Sequence, residues 1–596
     1  MIYKGRGRRE NLSSNRFIHC KSWLPRAAEG LVVQEGLREA LLSGSSMYQG
    51  GGQPGHRPEE LGFVIKSLVA RQLSLGQLVV LQSYDIQKFF DKEMMEDAVL
   101  TSMKRKADPK AVRLWYKLND KTKIEVKTTV GTTRKEDVGA VVGQGIMGGA
   151  LVSQAVLDEA VMERFPQAGQ LNYGSVPMAP VMWVDDMLNA ARGLDEARKA
   201  NKQVNSLIKQ RGLQLNKEKS VCIIMGTKEQ RAKAENEIKN DPLACGDFDT
   251  KPTEVEKWLG QNLAARGLDE SVAETVRARE GKIRAAGLEI AEVVNNWRSE
   301  VTGGMVTAIM LWETCCIPSL LHGAGNWIQI NKQTEKKLNE IQQWFVRLIL
   351  QVGPGTPLAA LTWDMGLMDM RMRVWMEKLL LILYIKDMDE ETLAAKVYKE
   401  QKLNSWPGLA EEGRKICEEL GIEDVNETTM SKRKFKEIVL EACKQKDEQN
   451  LKNLAKEKQK CTRILKENFE RKEYIMRYKI EDVRHWFRTR FGLQPFGGNF
   501  SKDKRFAKSE WLCKCKEEKE TEVHLLEGKC KTYGDINKHY GDITDDANLV
   551  SFFQEVLARR SEMEEQEEET MVARRATECT PVPRQEDQPV WGVKTS

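Results

Sequence analysis

Two adjacent carboxylates, Asp185 and Asp186, interrupt an otherwise apolar run, Val181-Met182-Trp183-Val184-Asp185-Asp186-Met187-Leu188. The apolar residues on either side read as two short strands, with the acidic pair at the tight turn between them. Like charges this close repel unless a cation is present, so the pair points to a divalent-metal site; taken alone, it also suits an exposed Asp-Asp turn.

A third carboxylate stands upstream. Val79, Val80 and Leu81 predict a strand, Asp85 falls near its end, and an amphipathic helix is expected from about Asp91. Two-metal phosphoryl transfer needs carboxylates from different strands converging on two ions roughly 3.5–4 Å apart. Asp85, Asp185 and Asp186 supply such a set if their strands are neighbours in one sheet.

A second metal candidate is Cys513, Cys515, His524 and Cys530. Three thiolates and one imidazole suit tetrahedral zinc, and a segment this polar needs such a staple to fold. The single residue between the first two cysteines is a tight spacing, and four free groups in a loop are the alternative.

Taken together, these segments resemble a known family. Residues 85–91 look like motif A of reverse transcriptases, and the Asp185-Asp186 hairpin looks like motif C. Residues 142–151 resemble motif B, residues 212–220 motif D, and Lys257-Trp258-Leu259-Gly260 the primer-grip motif E. Their order and spacing are similar to those of non-LTR (LINE-like) retrotransposon reverse transcriptases. Residues 15–19, 23–26 and 51–58 resemble finger segments, and residues 273–385 resemble the thumb and its extension, so the likeness spans roughly residues 12 to 535. Two departures are visible: Trp183 replaces the usual Tyr or Phe before the aspartates, and Gly148-Gly149-Ala150 replaces Ser-Pro pairs in motif B. Neither removes a metal ligand.

The resemblance implies RNA-directed DNA synthesis, with two Mg²⁺ ions held by Asp85, Asp185 and Asp186. It implies that Lys219 donates a proton to pyrophosphate or neutralises it, and that the Ile86 carbonyl helps hold metal and triphosphate. Phe90 would read the sugar 2′ position, Gln144 and Gly145 would lie under the template base and incoming nucleotide, and Arg16 would be a further substrate contact. The Cys513, Cys515, His524 and Cys530 segment resembles the zinc-knuckle-like element that follows the thumb. The implied partners are an RNA template, a DNA primer or target, deoxynucleotides and a separate endonuclease, because no endonuclease-like region is apparent. The short segment before the fingers keeps a second expectation open, a catalytically inactive nucleic-acid-binding remnant; a structural assembly protein is a third.

The elements that must position these groups follow from length and pattern. At 596 residues and 41% apolar content, the chain supports several cores. The resemblance implies an α+β architecture, a right-hand polymerase: partial fingers over 1–78, palm over 79–265, helical thumb over 266–350, a helical basic extension over 351–504, the zinc-knuckle-like segment over 505–535, and an acidic, disordered tail over 536–596. Net charge is only +5, but positive charge gathers at the N-terminus and between about Lys432 and Arg490. Lys432, Arg433, Lys434, Lys436, Lys458, Lys460, Arg471, Lys472, Arg484, Arg488 and Arg490, interleaved with Tyr474, Tyr478, Trp486 and Phe487, read as a helical phosphate-contacting face, with the aromatics serving as core or as stacking surfaces. Twelve scattered cysteines fit an intracellular chain. No apolar run reaches membrane-spanning length. The N-terminal arginines suit nuclear import or an RNA-binding arm.

Overall fold

In a computed structural model of the chain, the described residues are 2–3, 15–16, 21–92, 94–120, 123–124, 127–128, 131–132, 134, 136–137, 142, 146–165, 171–296, 302–496, 511–526, 530–540 and 546–578. They form two compact units, each assembled from segments remote in sequence. The first comprises residues 1–288, 311–342 and 368–450; the second comprises 289–310, 343–367 and 451–596. Among the described residues, no helix is long and apolar enough to cross a membrane.

The first unit mixes helices with a five-stranded sheet. Helix α1 (Pro58–Ser74) opens with a proline at its first turn and Glu60 bonded back to the Arg57 N–H, the reciprocal pattern that satisfies free N–H groups. It is buried on nearly every side, apolar from Leu61 to Ala70 except at Lys66 and Ser67. Strand β1 (Val79–Tyr84) follows. After it come α2 (Gly149–Arg164), β2 (Val181–Trp183), β3 (Asp186–Arg192), α3 (Gly193–Gln210), β4 (Val221–Met225) and β5 (Lys251–Pro252). The sheet order is β2-β3-β1-β4-β5, antiparallel except for the parallel β4/β5 edge. β1 lies in the middle and is buried along nearly its whole length, Gln82 included.

Register is held by a buried polar network. Gln82 Nε2 donates to Ala197 O at 2.9 Å and to Asn201 Oδ1 at 2.6 Å, while Asn189 Nδ2 donates to Gln82 Oε1 at 2.9 Å. Tyr84 OH and the Asn201 amide extend the chain of bonds to Thr250. A one-residue slip of β1 would point Gln82 into the opposite face and orphan these groups. A separate hairpin, β6 (Val255–Trp258) with β7 (Gln261–Ala264), leads into helix α4 (Leu268–Asn296). Beyond it lies α5 (Met370–Lys386).

In the second unit, helix α6 (Ile480–Arg490) corrects the basic face expected from sequence. Arg484 is buried and donates to Ile349 O at 2.9 Å and Asn295 Oδ1 at 2.6 Å. Arg490 pairs with the buried Asp364 at 2.8 Å and with Glu467 at 2.9 Å. Both guanidinium groups are spent on the core, because Asp364 and the Ile349 carbonyl are buried there and need donors. Phe487 and Tyr474 are buried as well, and Trp486 stacks between Tyr474 and Tyr478. In the first unit Arg433, Lys434 and Lys436 remain exposed, as does Lys458 in the second, and the side chain of Lys460 lies outside the described residues.

The acidic tail differs from expectation too. Residues Asp546–Glu578 form a helix, α7, whose Phe552, Phe553 and Val556 are buried with Leu525, Tyr533, Cys513 and Cys530. The tail is ordered there because its N-terminal half carries an apolar face that the glutamate run hides in a composition average. The glutamates Glu564, Glu565 and Glu567 to Glu569 are exposed, as their charge demands.

Candidate active site and metal centre

β2 and β3 are joined by a two-residue turn, Val184-Asp185, with Trp183 opposite Asp186. Val184 has φ +61°, a conformation that β-branched residues avoid and that the first position of this hairpin turn demands. It is held there from outside. The Val184 N–H donates to Gln49 Oε1 at 3.1 Å, and the Gly51 N–H donates to the same oxygen at 2.9 Å. Segment 48–50 runs beside β2, with Met182 N–H donating to Tyr48 O at 2.8 Å and Gly50 N–H to Met182 O at 3.0 Å. A Cβ on Gly51 would lie 2.4 Å from Val184 N and 2.8 Å from its Cγ2, so only glycine permits this approach.

The register Met187↔Tyr84 sets the Asp185-Asp186 turn beside the end of β1, where Asp85 follows Tyr84. Asp85 is gripped on its other side. Asn216 N–H donates to Asp85 O at 2.7 Å, Gln87 N–H to Gln214 O at 2.8 Å, and Ser220 Oγ accepts from Asp85 N–H at 3.3 Å. Ile86, buried, forms a bridge with Leu215 in the same pairing. This paired loop delivers Lys219, whose Nζ lies 3.0 Å from Asp85 Oδ1 and 3.3 Å from Oδ2.

The Asp186 carboxyl is pushed up to about 6, first by loss of water around it, then by the charges of Asp185 and Asp85, with Lys219 opposing. Glu256 on β6 is also raised, by burial and then by Asp85 and Asp186. Asp186 thus feels Asp185 and Asp85, and Glu256 feels Asp85 and Asp186; hard oxygen donors of this type are the kind that Mg²⁺ takes. Glu256 was not anticipated from sequence, nor were Gln49 and Gly51; these groups converge only through tertiary contacts, and the Gly51-Gly52 pair is the one visible signal.

Other expected site residues are placed as follows. Phe90 is half-buried, its ring centroid 5.4 Å from that of Phe89. Gln144 and Gly145 lie outside the described residues, as does the side chain of Arg16, whose backbone pairs with Ile2 in a two-residue strand. At the turn of the β6/β7 hairpin, Leu259 and Gly260 both have positive φ, and Arg279 of α4 donates to Gly260 O at 2.7 Å. Lys66 of α1 is buried beneath the hairpin and donates to Gln261 Oε1 and Asn326 Oδ1 at 2.5 and 2.8 Å.

The second centre, in the second unit, brings Cys513, Cys515, His524 and Cys530 together, their ligand atoms all within 4.8 Å of one another. Cys513 Sγ lies 3.5 Å from Cys530 Sγ, and Cys515 Sγ lies 3.4 Å from His524 Nε2. Donors at zinc-bond length around a tetrahedral ion sit about 3.5–3.8 Å apart, so the set fits zinc. The tight Cys-Lys-Cys spacing is accommodated by a narrow loop in which Cys513 N–H donates to Glu518 O at 2.8 Å and Lys516 adopts φ +63°. The far nitrogen of His524 faces Glu518 Oε2 at 3.2 Å, the carboxylate partner that orients a metal-bound imidazole. Burial raises the Cys515 thiol, but N–H groups of residues 517 and 518 and hydrogen bonds with Cys513 and His524 together bring it down to about 7, whereas burial pushes the Cys513 thiol up. At Cys515 this favours the thiolate a metal requires.

No protein-family model and no curated protein matches the chain. Solved structures similar to part of it include telomerases. Apo telomerase from Candida tropicalis is 10% identical over 70% of this chain and 60% of that one, with a TM-score of 0.30. A form of it truncated from the C-terminal domain is 12% identical over 41% and 48%, with a TM-score of 0.27. Telomerase from Candida albicans, in complex with a fragment of telomeric RNA, is 9% identical over 63% and 56%, with a TM-score of 0.26. The chain thus spans 48–60% of the length of these structures.

Proposed function

We propose that the chain is an RNA-directed DNA polymerase of the non-LTR retrotransposon kind, extending a primer 3′ end with deoxynucleotides on an RNA template. The observation that supports this reading best is the convergence of Asp85, Asp185 and Asp186 at one end of two paired strands, with the Lys219 ammonium against Asp85. Mg²⁺ held by these carboxylates would supply Lewis acidity toward the 3′-hydroxyl and the triphosphate. The chain's own groups do the rest. Asp85 holds Lys219 in place, so that Nζ can give a proton to the departing pyrophosphate. Gln49 and Gly51 hold the Val184 turn and so fix where Asp185 and Asp186 point. The Ile86 carbonyl, Phe90, Gln144, Gly145 and Arg16 are assigned to the nucleotide and template. Arg279 and Lys66 brace the β6/β7 turn as a rest for the primer strand.

In the same reading, Cys513, Cys515, His524 and Cys530 hold a structural zinc that closes the small core with Leu525, Tyr533, Phe552 and Phe553. The test is primer extension on an RNA template with purified chain, Mg²⁺ and four deoxynucleotides, beside Asp185→Ala. Extension by the native chain alone supports the polymerase. No extension by either, with RNA binding retained, replaces it by an inactive nucleic-acid-binding remnant.

A further inference from the structure

The loop that carries Cys513 and Cys515 also carries Lys514, Lys516 and Lys519, the last two exposed. Helix α7 packs on this segment through one face. Phe553 and Val556 are buried in its core, and the next turns of the same face, at three- and four-residue steps, present Arg560, Glu564 and Glu567. Arg560 is fixed by Glu520 at 2.6 Å and by Glu564 at 2.9 Å. Lys514 Nζ then lies 2.9 Å from Glu567 and 3.9 Å from Glu564. Glu517 and Glu518 of the same loop are engaged elsewhere, by Lys531 and His524. Two carboxylates of the glutamate run therefore sit on Lys514, beside the cysteine cluster.

We propose that the 514–519 loop is a contact surface for the backbone phosphates of single-stranded RNA, and that Glu564 and Glu567 occupy it until RNA displaces them. The proposal rests on the reading of the chain as an RNA-templated polymerase. Displacement is feasible because these pairs lie at the surface, where each is weak and screened by salt. The apolar half of α7 stays docked on Cys513, Leu525 and Tyr533 while its acidic half gives way, so the competing charge remains tethered at high local concentration.

The experiment is fluorescence-anisotropy binding of a labelled single-stranded RNA oligonucleotide to the full chain, without Mg²⁺ or deoxynucleotides, across a salt series. Glu564→Gln/Glu567→Gln is expected to tighten binding at least about threefold at low salt and to steepen the dependence of log affinity on log salt by about 0.7, one additional phosphate contact. Adding Lys514→Gln should cancel both gains. Glu565→Gln/Glu568→Gln removes the same charge from the same helix at positions that form no ion pair with Lys514, and should leave both nearly unchanged. Equal tightening by that control, persistence of the gain with Lys514→Gln, or no RNA binding by any variant would overturn the proposal. Equal zinc content across variants excludes misfolding of the segment. Loss of primer extension with this pattern intact would instead overturn the polymerase reading.

Discussion

Lys219 Nζ rests between the two oxygens of Asp85, at 3.0 and 3.3 Å, although 134 residues separate them in the chain. The pairing follows from backbone hydrogen bonds that bind the loop 214–220 to the end of β1, and it sets a cation beside carboxylates that repel one another. Lys219→Met is expected to lower the single-turnover rate of primer extension by about a hundredfold or more, the usual worth of a positioned proton donor. Lys219→Arg keeps the charge but gives up a proton far less readily, so it should recover little. An unchanged rate in both would remove Lys219 from the chemistry.

The approach of Gly51 to Val184 makes a sharper steric forecast. Gly51→Ala places a methyl carbon 2.4 Å from Val184 N, so either segment 48–51 or the turn must move. Displacing the Asp185-Asp186 turn by a fraction of an ångström to one ångström should cut primer extension by about 10- to 100-fold. Circular dichroism and thermal melting should show the chain still folded, since the clash is local.

The Cys513, Cys515, His524 and Cys530 cluster predicts metal content. Purified chain should carry one zinc per chain, lost in Cys530→Ser, and chelation should lower the melting temperature of the second unit. Glu518→Gln removes the carboxylate facing His524 and should weaken zinc binding by about 10- to 100-fold without abolishing it. A folded chain without zinc, insensitive to chelator, would sink the assignment.

Lys66 predicts a pH dependence of stability. Burial, then the charges of Arg279 and Lys378, bring its ammonium down from 10.5 to about 7. Between pH 7 and 10.5 the unfolded chain therefore holds more protons at this position than the folded one, and stability contributed here rises with pH. Below pH 7 both states are protonated and the full cost of the buried charge is felt. The effect across the window is of the order of 5 kcal/mol. Thermal melts of the native chain and Lys66→Met from pH 7 to 10 should differ in slope, with the rise diminished in the variant; parallel curves would show that Lys66 titrates near its ordinary value.

The hairpin at Asp185-Asp186 and the strand before Asp85 were readable because strands announce themselves in runs of a few residues, and a carboxylate pair interrupting such a run is conspicuous. Cys513, Cys515, His524 and Cys530 were readable for the same reason, lying within one short polar segment. The fates of Arg484 and Arg490 were not. A helix rich in Lys and Arg looks like a phosphate-binding face until a buried acid such as Asp364 appears more than 100 residues away and claims its arginines. The tail misled similarly: six glutamates between residues 562 and 569 outweigh Phe552, Phe553 and Val556 in any average, yet those three decide that the helix docks.

By itself, the sequence determined which groups are available and which local elements carry them: the carboxylates at strand ends, the thiols and imidazole in one loop, the glycines able to take positive φ. Tertiary structure alone decided that Gln49 and Gly51 buttress the Val184 turn, that Glu256 joins the three aspartates, that Lys219 meets Asp85, and that Glu567 covers Lys514. The physical reason is range. Periodicity and turn chemistry act over a few residues, whereas burial, register and charge pairing are settled by whichever distant segments exclude water from the same place.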